Sequence, residues 1–137
     1  MVREIGGVGS SYKGEAFGGK GKKVIASSKI VLGINHYTEN VIEGNWSNRV
    51  YRTMAAGSFL LYEKVKGMDL VFKDKEHLVC WRGTKNLIDL IEYYLVHEEE
   101  REAIAKQGQA YVLNTQSYDN RVGDFLRLIN YENKVSY

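Results

Sequence analysis

Three short runs of unbroken apolar residues set the frame for this chain. They are Ile30–Ile34, Phe59–Tyr62 and Leu78–Trp81. A strand with one wet face alternates apolar and polar residues. Unbroken runs of this length instead mark strands buried on both faces of a parallel sheet. Between the runs the pattern turns helical. Val50, Met54 and Ala55 share one face, Ser47 is placed to cap the helix start, and Gly57 closes it. After the third run Leu87, Ile88, Ile91 and Leu95 have amphipathic helical spacing, with Thr84 as the expected N-cap. Glu98, Glu99 and Glu100 open the next helix and Lys106 falls near its expected end, as the helix dipole favours. Val122, Phe125, Leu126 and Ile129 form an apolar stripe on a last helix, and the polar tail after Tyr131 is expected to fray. This alternation predicts an α/β fold, a Rossmann-like parallel sheet flanked by helices, with right-handed crossovers and C-terminal helices.

The start of the chain is different. Seven of its 14 glycines lie between Gly6 and Gly21, with Lys13, Lys20, Lys22 and Lys23 among or just after them. Glycine costs backbone entropy in regular structure, so this stretch reads as loop, with order beginning near Lys22. The expected organisation is a flexible segment over 1–21, one lobe over 22–131 and a tail over 132–137. A length of 137 residues, 44% of them apolar, suffices for one core without disulfides or metal. No apolar run reaches the roughly 18 residues of a membrane span, and no signal-peptide core opens the chain. The lone Cys80 excludes a disulfide framework and a multi-cysteine zinc site, and fits a cytoplasmic setting. A net charge of +2 is too small for a dedicated nucleic-acid binder. Proline is absent where average usage would place about seven, which excludes proline-rich linkers.

Gly14–Lys20 satisfies the phosphate-loop spacing G-x-x-x-x-G-K, but Gly21 stands where Ser or Thr must hold magnesium, and no buried strand leads into it. A basic loop is the better reading, with a weaker possibility that its amides and lysines lie beside an anion bound elsewhere. His36, His77 and His97 have no metal-ligand spacing, and such histidines are usually edge residues. His36 stands apart because it follows the first strand, and α/β sheets bind ligands beyond the carboxyl ends of their strands. Cys80, inside an apolar run, reads as an inert thiol. No Ser–His–Asp or Cys–His arrangement can be read from the spacing, and the sequence holds no Gly-x-Ser-x-Gly elbow. Ten tyrosines, scattered rather than laid along a basic stripe, read as packing and rim residues.

The most informative stretch is Glu43–Gly57, between the first and second runs. Its first half is polar loop and its second half starts a helix. A helix start offers free amides to an anion. Arg49 in that first turn opposes the dipole, which makes sense if a phosphate sits between them. The alternative is that Arg49 pairs with a nearby carboxylate or points to solvent.

Seven stretches in order carry a resemblance: Ala26–Asn35, Trp46–Tyr51, Ala55–Leu61, Val65–Gly67, Leu90–Leu95, Glu99–Gly108 and Ser117–Arg121. They resemble the C-terminal, donor-binding lobe of GT-B glycosyltransferases, in the group-1 branch named after spore maturation glycosyltransferase-like proteins. The resemblance covers roughly residues 12 to 129. It implies half of a GT-B fold, a nucleotide-sugar as substrate, no bound metal and no further cofactor. It implies a donor and diphosphate site drawn from Asn35, His36, Glu43, Asn45, Ser47, Asn48, Arg49 and Arg52. Amides and the Arg49 guanidinium would face charge growing on the departing diphosphate.

The chain departs from the family pattern at two points. Arg52 stands where many relatives carry the second of two glutamates, which grips the ribose, and Glu43 is near but not at the first position. A GT-B enzyme also needs an N-terminal lobe, and almost nothing precedes the resemblance here. The expectation is therefore a donor lobe, with transfer only when a second lobe completes it. The alternative is a degenerate, non-catalytic lobe that serves as a binding or assembly module, including with copies of itself. A third reading, RNA or anion binding by the lysine-rich start, is opposed by the low net charge.

Overall fold

The computed structural model of the chain describes residues 14–35 and 44–135. Helix α1 (Gly18–Ser27) precedes strand β1 (Val31–Gly33); α2 (Arg49–Ala55), β2 (Leu60–Glu63), a 3-10 turn (Met68–Leu70) and β3 (Val79–Trp81) follow. The chain closes with α3 (Gly83–Val96), α4 (Glu98–Thr115) and α5 (Tyr118–Val135). The three strands form one parallel sheet in the order β1-β2-β3, with Leu32 level with Leu61 and Tyr62 level with Cys80. The fold is α/β, a three-stranded parallel sheet flanked by five helices, as in half of a Rossmann-like fold. No helix among the described residues is long and apolar enough to cross a membrane.

The unbroken apolar runs account for the two cores. In β2, Leu60 and Tyr62 point to one face, where Val50 and Met54 of α2, Met68, Phe72, Leu78 and Val112 surround them. Phe59 and Leu61 point to the other face, against Val79, Trp81, Tyr94, Ile104 and Ala105. β2 is thus buried on both faces, as its sequence predicts. β1 is not. Leu32 and Ile34 are 37% and 58% exposed, because α3 and α4 pack over β2 and β3 rather than over β1.

Helix α4 joins the two cores. Ile104 and Ala105 fill the second, while Val112 and the partly buried Tyr111 pack on the first. It approaches the sheet through Gly108, where an added Cβ would lie 2.1 Å from the His77 carbonyl oxygen. Arg101, 4% exposed, fixes the α3–α4 corner: its Nη1 donates to the Tyr94 carbonyl at 2.6 Å and its Nη2 to Glu98 at 3.2 Å. A cation on a late carbonyl of α3 also suits that helix's dipole. At the end of α2, Gly57 takes φ 75° and donates to the Met54 carbonyl, while Ser58 donates to that of Thr53. That pair of bonds is a Schellman cap, as the glycine predicts.

Several sequence expectations shift. α1 begins at Gly18, inside the stretch read as loop, because Gly21 is buried and lies where a Cβ would meet the Ala16 carbonyl at 2.6 Å. α3 begins at Gly83 and not at Thr84; the Asn86 side chain accepts the Arg82 amide at 2.9 Å and caps it. Lys106 is mid-helix, since α4 runs on to Thr115. α5 extends past Tyr131 to Val135. Its expected apolar stripe exists but faces outward: Val122, Phe125, Leu126 and Ile129 are 38% to 61% exposed.

Gly108→Ala should destabilise the chain by about 3 kcal/mol, since the clash is with backbone that cannot turn aside. Urea denaturation checks this; a loss within about 0.5 kcal/mol, as for an ordinary surface change, would show that α4 does not need this approach.

Candidate functional site

The carboxyl end of the sheet is organised by one side chain. The Tyr62 ring lies across Gly33, so close that a Cβ there would sit 2.0 Å from Cδ2. Glycine at 33 is therefore required for the ring to pass. The ring delivers its hydroxyl to the strand ends, where it accepts the Ser47 amide at 3.2 Å and donates to Asn35 Oδ1 at 3.2 Å. Glu63 Oε2 accepts the Asn35 amide at 2.8 Å, and Trp81 Nε1 donates to the Gly33 carbonyl at 3.3 Å. Residues on β2 and β3 thus hold the end of β1 and the start of α2 together. The next residues carry positive charge. Lys64, Lys66 and Arg82 line a shallow hollow at the ends of β2 and β3 that holds one carboxylate, Asp69. Lys64 donates to Asp69 at 3.0 Å and holds that carboxyl below its usual range.

At the start of α2, Ser47 Oγ accepts the Arg49 amide at 3.2 Å and the Ser47 carbonyl accepts that of Val50 at 3.0 Å. The N-cap position is Asn48 rather than the expected Ser47, whose hydroxyl instead closes a local turn one residue earlier. The first turn holds no acidic residue, and Arg49 is exposed with no carboxylate partner among the described residues. Of the two readings of Arg49, pairing with a neighbouring carboxylate does not occur there.

The expected site residues divide into groups. Asn35 and Ser47 meet through Tyr62, and Arg49 stands next to Ser47. Asn45 is an exposed loop residue. Asn48 and Arg52 turn elsewhere, into a separate hollow between α2 and the α4–α5 corner. His36 and Glu43 lie outside the described residues. Sequence reasoning missed Tyr62, Glu63, Lys64, Lys66 and Arg82. The available signal was positional, since Lys64 and Arg82 follow the second and third runs at strand ends.

The other reactive groups are structural. The His77 ring stacks on Tyr111 at 4.0 Å, its Nδ1 accepts the Lys73 amide at 3.3 Å, and burial lowers its pKa from 6.5. His97 stacks on Tyr93 at 3.8 Å, and its Nδ1 lies 2.7 Å from the Tyr93 carbonyl. Burial, and then the Asp74 charge, raise Cys80 to about 11, so its thiol is inert near neutrality. Among the described residues no three His, Cys, Asp or Glu side chains converge to hold a metal ion.

Tyr62→Phe keeps the ring and removes the bridge, leaving Asn35 Oδ1 and the Ser47 amide without their partner. A loss of about 1–2 kcal/mol is expected by thermal or urea unfolding, with Ser47 and Arg49 amides exchanging faster with solvent. Unchanged exchange there would show that the hydroxyl does not hold the two segments.

Comparison with known proteins adds one finding. No curated protein and no solved structure matches the chain. The sequence model of the glycosyl transferase-like family matches residues 4–127, which include the whole sheet, helices α1 to α4 and the first half of α5. The chain therefore belongs to the glycosyl transferase-like family.

Proposed function

We propose that the chain binds the nucleoside diphosphate portion of a sugar donor at the carboxyl end of its sheet, as the donor half of a metal-independent glycosyl transfer. The observation that carries this reading is the Tyr62 bridge, which joins Asn35 and Ser47 beside Arg49, a cation with no carboxylate partner among the described residues. Parallel α/β sheets take ligands beyond their carboxyl ends. A guanidinium at a helix start is suited to charge that grows on a leaving diphosphate. Lys64 and Arg82 at the neighbouring strand ends add to the positive field. Membership of the glycosyl transferase-like family supports the same chemistry. The finer assignment, to the donor lobe of the spore maturation-like branch of GT-B enzymes, is part of this proposal. So is a cytoplasmic setting, which suits the single reduced thiol.

Transfer requires donor and acceptor to be held together. The described residues form one sheet with one carboxyl end, so the acceptor and the general base are assigned to a second lobe. A second reading, a non-catalytic binding or assembly module, is favoured by Arg52, which faces away from the strand ends. It predicts a self-associating chain with no nucleotide affinity.

Calorimetric titration of the full chain with UDP, GDP, TDP and their sugar conjugates separates the two. Saturable binding of one nucleotide series is expected, weakened about tenfold by Arg49→Gln, the loss of roughly one charge-assisted hydrogen bond. No binding at millimolar concentration overturns the donor reading.

A further inference from the structure

A second feature lies apart from the strand ends and does not depend on the donor reading. Between α2 and the α4–α5 corner is a hollow of about 410 Å³. Arg52 enters it from α2 and Arg121 from α5, and no carboxylate is among the described residues that line it. Neither arginine has an ion-pair partner among the described residues. Arg121 instead donates to two neutral oxygens, Gln116 Oε1 at 2.5 Å and Tyr51 Oη at 3.4 Å. Two like charges in one hollow repel, and the cost falls when an anion sits between them. The same Arg52 also lines an adjoining hollow of about 510 Å³ beside Lys22 and the glycine start of α1. That places a third cation along the same side of α2.

The floor is of a different kind. Ala55, Val112 and Leu113 line the first hollow, and Tyr51 and Tyr118 flank it. Leu113 is 57% and Tyr118 88% exposed, so apolar surface lies open beside the guanidinium groups. A bare inorganic ion would leave that surface wet. A ligand with a ring or chain attached to its anionic group would cover it and meet both arginines.

We propose that the groove between α2 and the α4–α5 corner is a binding site for a phosphate monoester carrying a planar or apolar group, held by Arg52 and Arg121. The phosphate takes the two guanidinium groups, while the organic part lies on Leu113, Val112 and the tyrosine rings. Asn48, Gln116 and Ser117 are the neutral polar groups at its rim. A hydrogen bond ties the groove wall to the segment before α2: Tyr51 Oη accepts the Trp46 indole N–H at 3.0 Å.

Phenyl phosphate is the probe, titrated into the ¹⁵N-labelled full chain and followed by amide shifts. Saturable shifts are expected at Tyr51, Arg52, Leu113 and Ser117–Arg121. Arg52→Gln should raise the dissociation constant at least about tenfold, as loss of one charge-assisted contact does. Arg121→Gln should do the same. Because Arg121 also ties α5 to α2, Leu113→Glu serves as a second variant: it leaves both arginines in place, sets a carboxylate beside them and should abolish binding. Lys85→Gln, which removes an exposed cation on α3, should leave the affinity unchanged. Absence of saturation at millimolar probe overturns the proposal. Shifts centred on Asn35, Ser47 and Glu63 overturn it too, as does wild-type affinity in Arg52→Gln and Leu113→Glu. Loss of nucleotide binding with retained phenyl phosphate binding would count against the donor reading alone.

Discussion

The contact between the Tyr62 ring and the Gly33 backbone is the constraint on which the rest of the architecture depends. Tyr62 is 1% exposed and lies in the first core with Leu60, so apolar burial fixes the ring. Once fixed, the ring can carry its hydroxyl to the strand ends only by crossing β1, and only glycine leaves room. Packing in the core and geometry at the crevice are therefore set by the same side chain. The hydroxyl then organises two segments distant in sequence, the residues after β1 and the start of α2. A helix as short as α2, with seven residues, has little stability of its own. Its position comes from Val50 and Met54 in the core, the Gly57 cap behind, and the Tyr62 bridge in front.

The fold was legible wherever burial is two-sided. The run Phe59–Tyr62 specifies a strand with apolar neighbours on both faces, and β2 has them. Ile30–Ile34 looks the same in sequence, yet β1 leaves Leu32 and Ile34 exposed. A run of apolar residues records what a strand can bury, not where the covering helices lie. The first turn of α1, Gly18–Gly21, reads as loop because glycine disfavours helix on average. Gly21 is there for a packing reason, the approach of the Ala16 carbonyl, which composition does not reveal.

The site was legible in part. Asn35 and Ser47 follow from position alone, one just after the first strand and one just before a helix. Tyr62 did not, because a tyrosine at the end of an apolar run looks like core, and its hydroxyl finds its partners only through tertiary contact. Arg52 is three residues after Arg49 and one helical turn along, and was placed with it. In the structure it lines a different hollow with Arg121, which is 69 positions away in the chain. Arg49, exposed at the start of the same short helix, does not line that hollow. The resemblance of Trp46–Tyr51 and Ser117–Arg121 to one family gains a physical meaning here, since the Arg121–Tyr51–Trp46 hydrogen bonds join these two stretches.

The central claim is one of location: a nucleoside diphosphate seated against Asn35, Ser47 and Arg49 at the carboxyl end of the sheet. Cross-saturation NMR on the full chain, from UDP or GDP protons to amides, tests it most directly. The account predicts transfer to the amides of Asn35, Ser47 and Arg49, with the ends of β2 and β3 next. Transfer confined to α3, α4 or α5, with the strand ends silent, would contradict it.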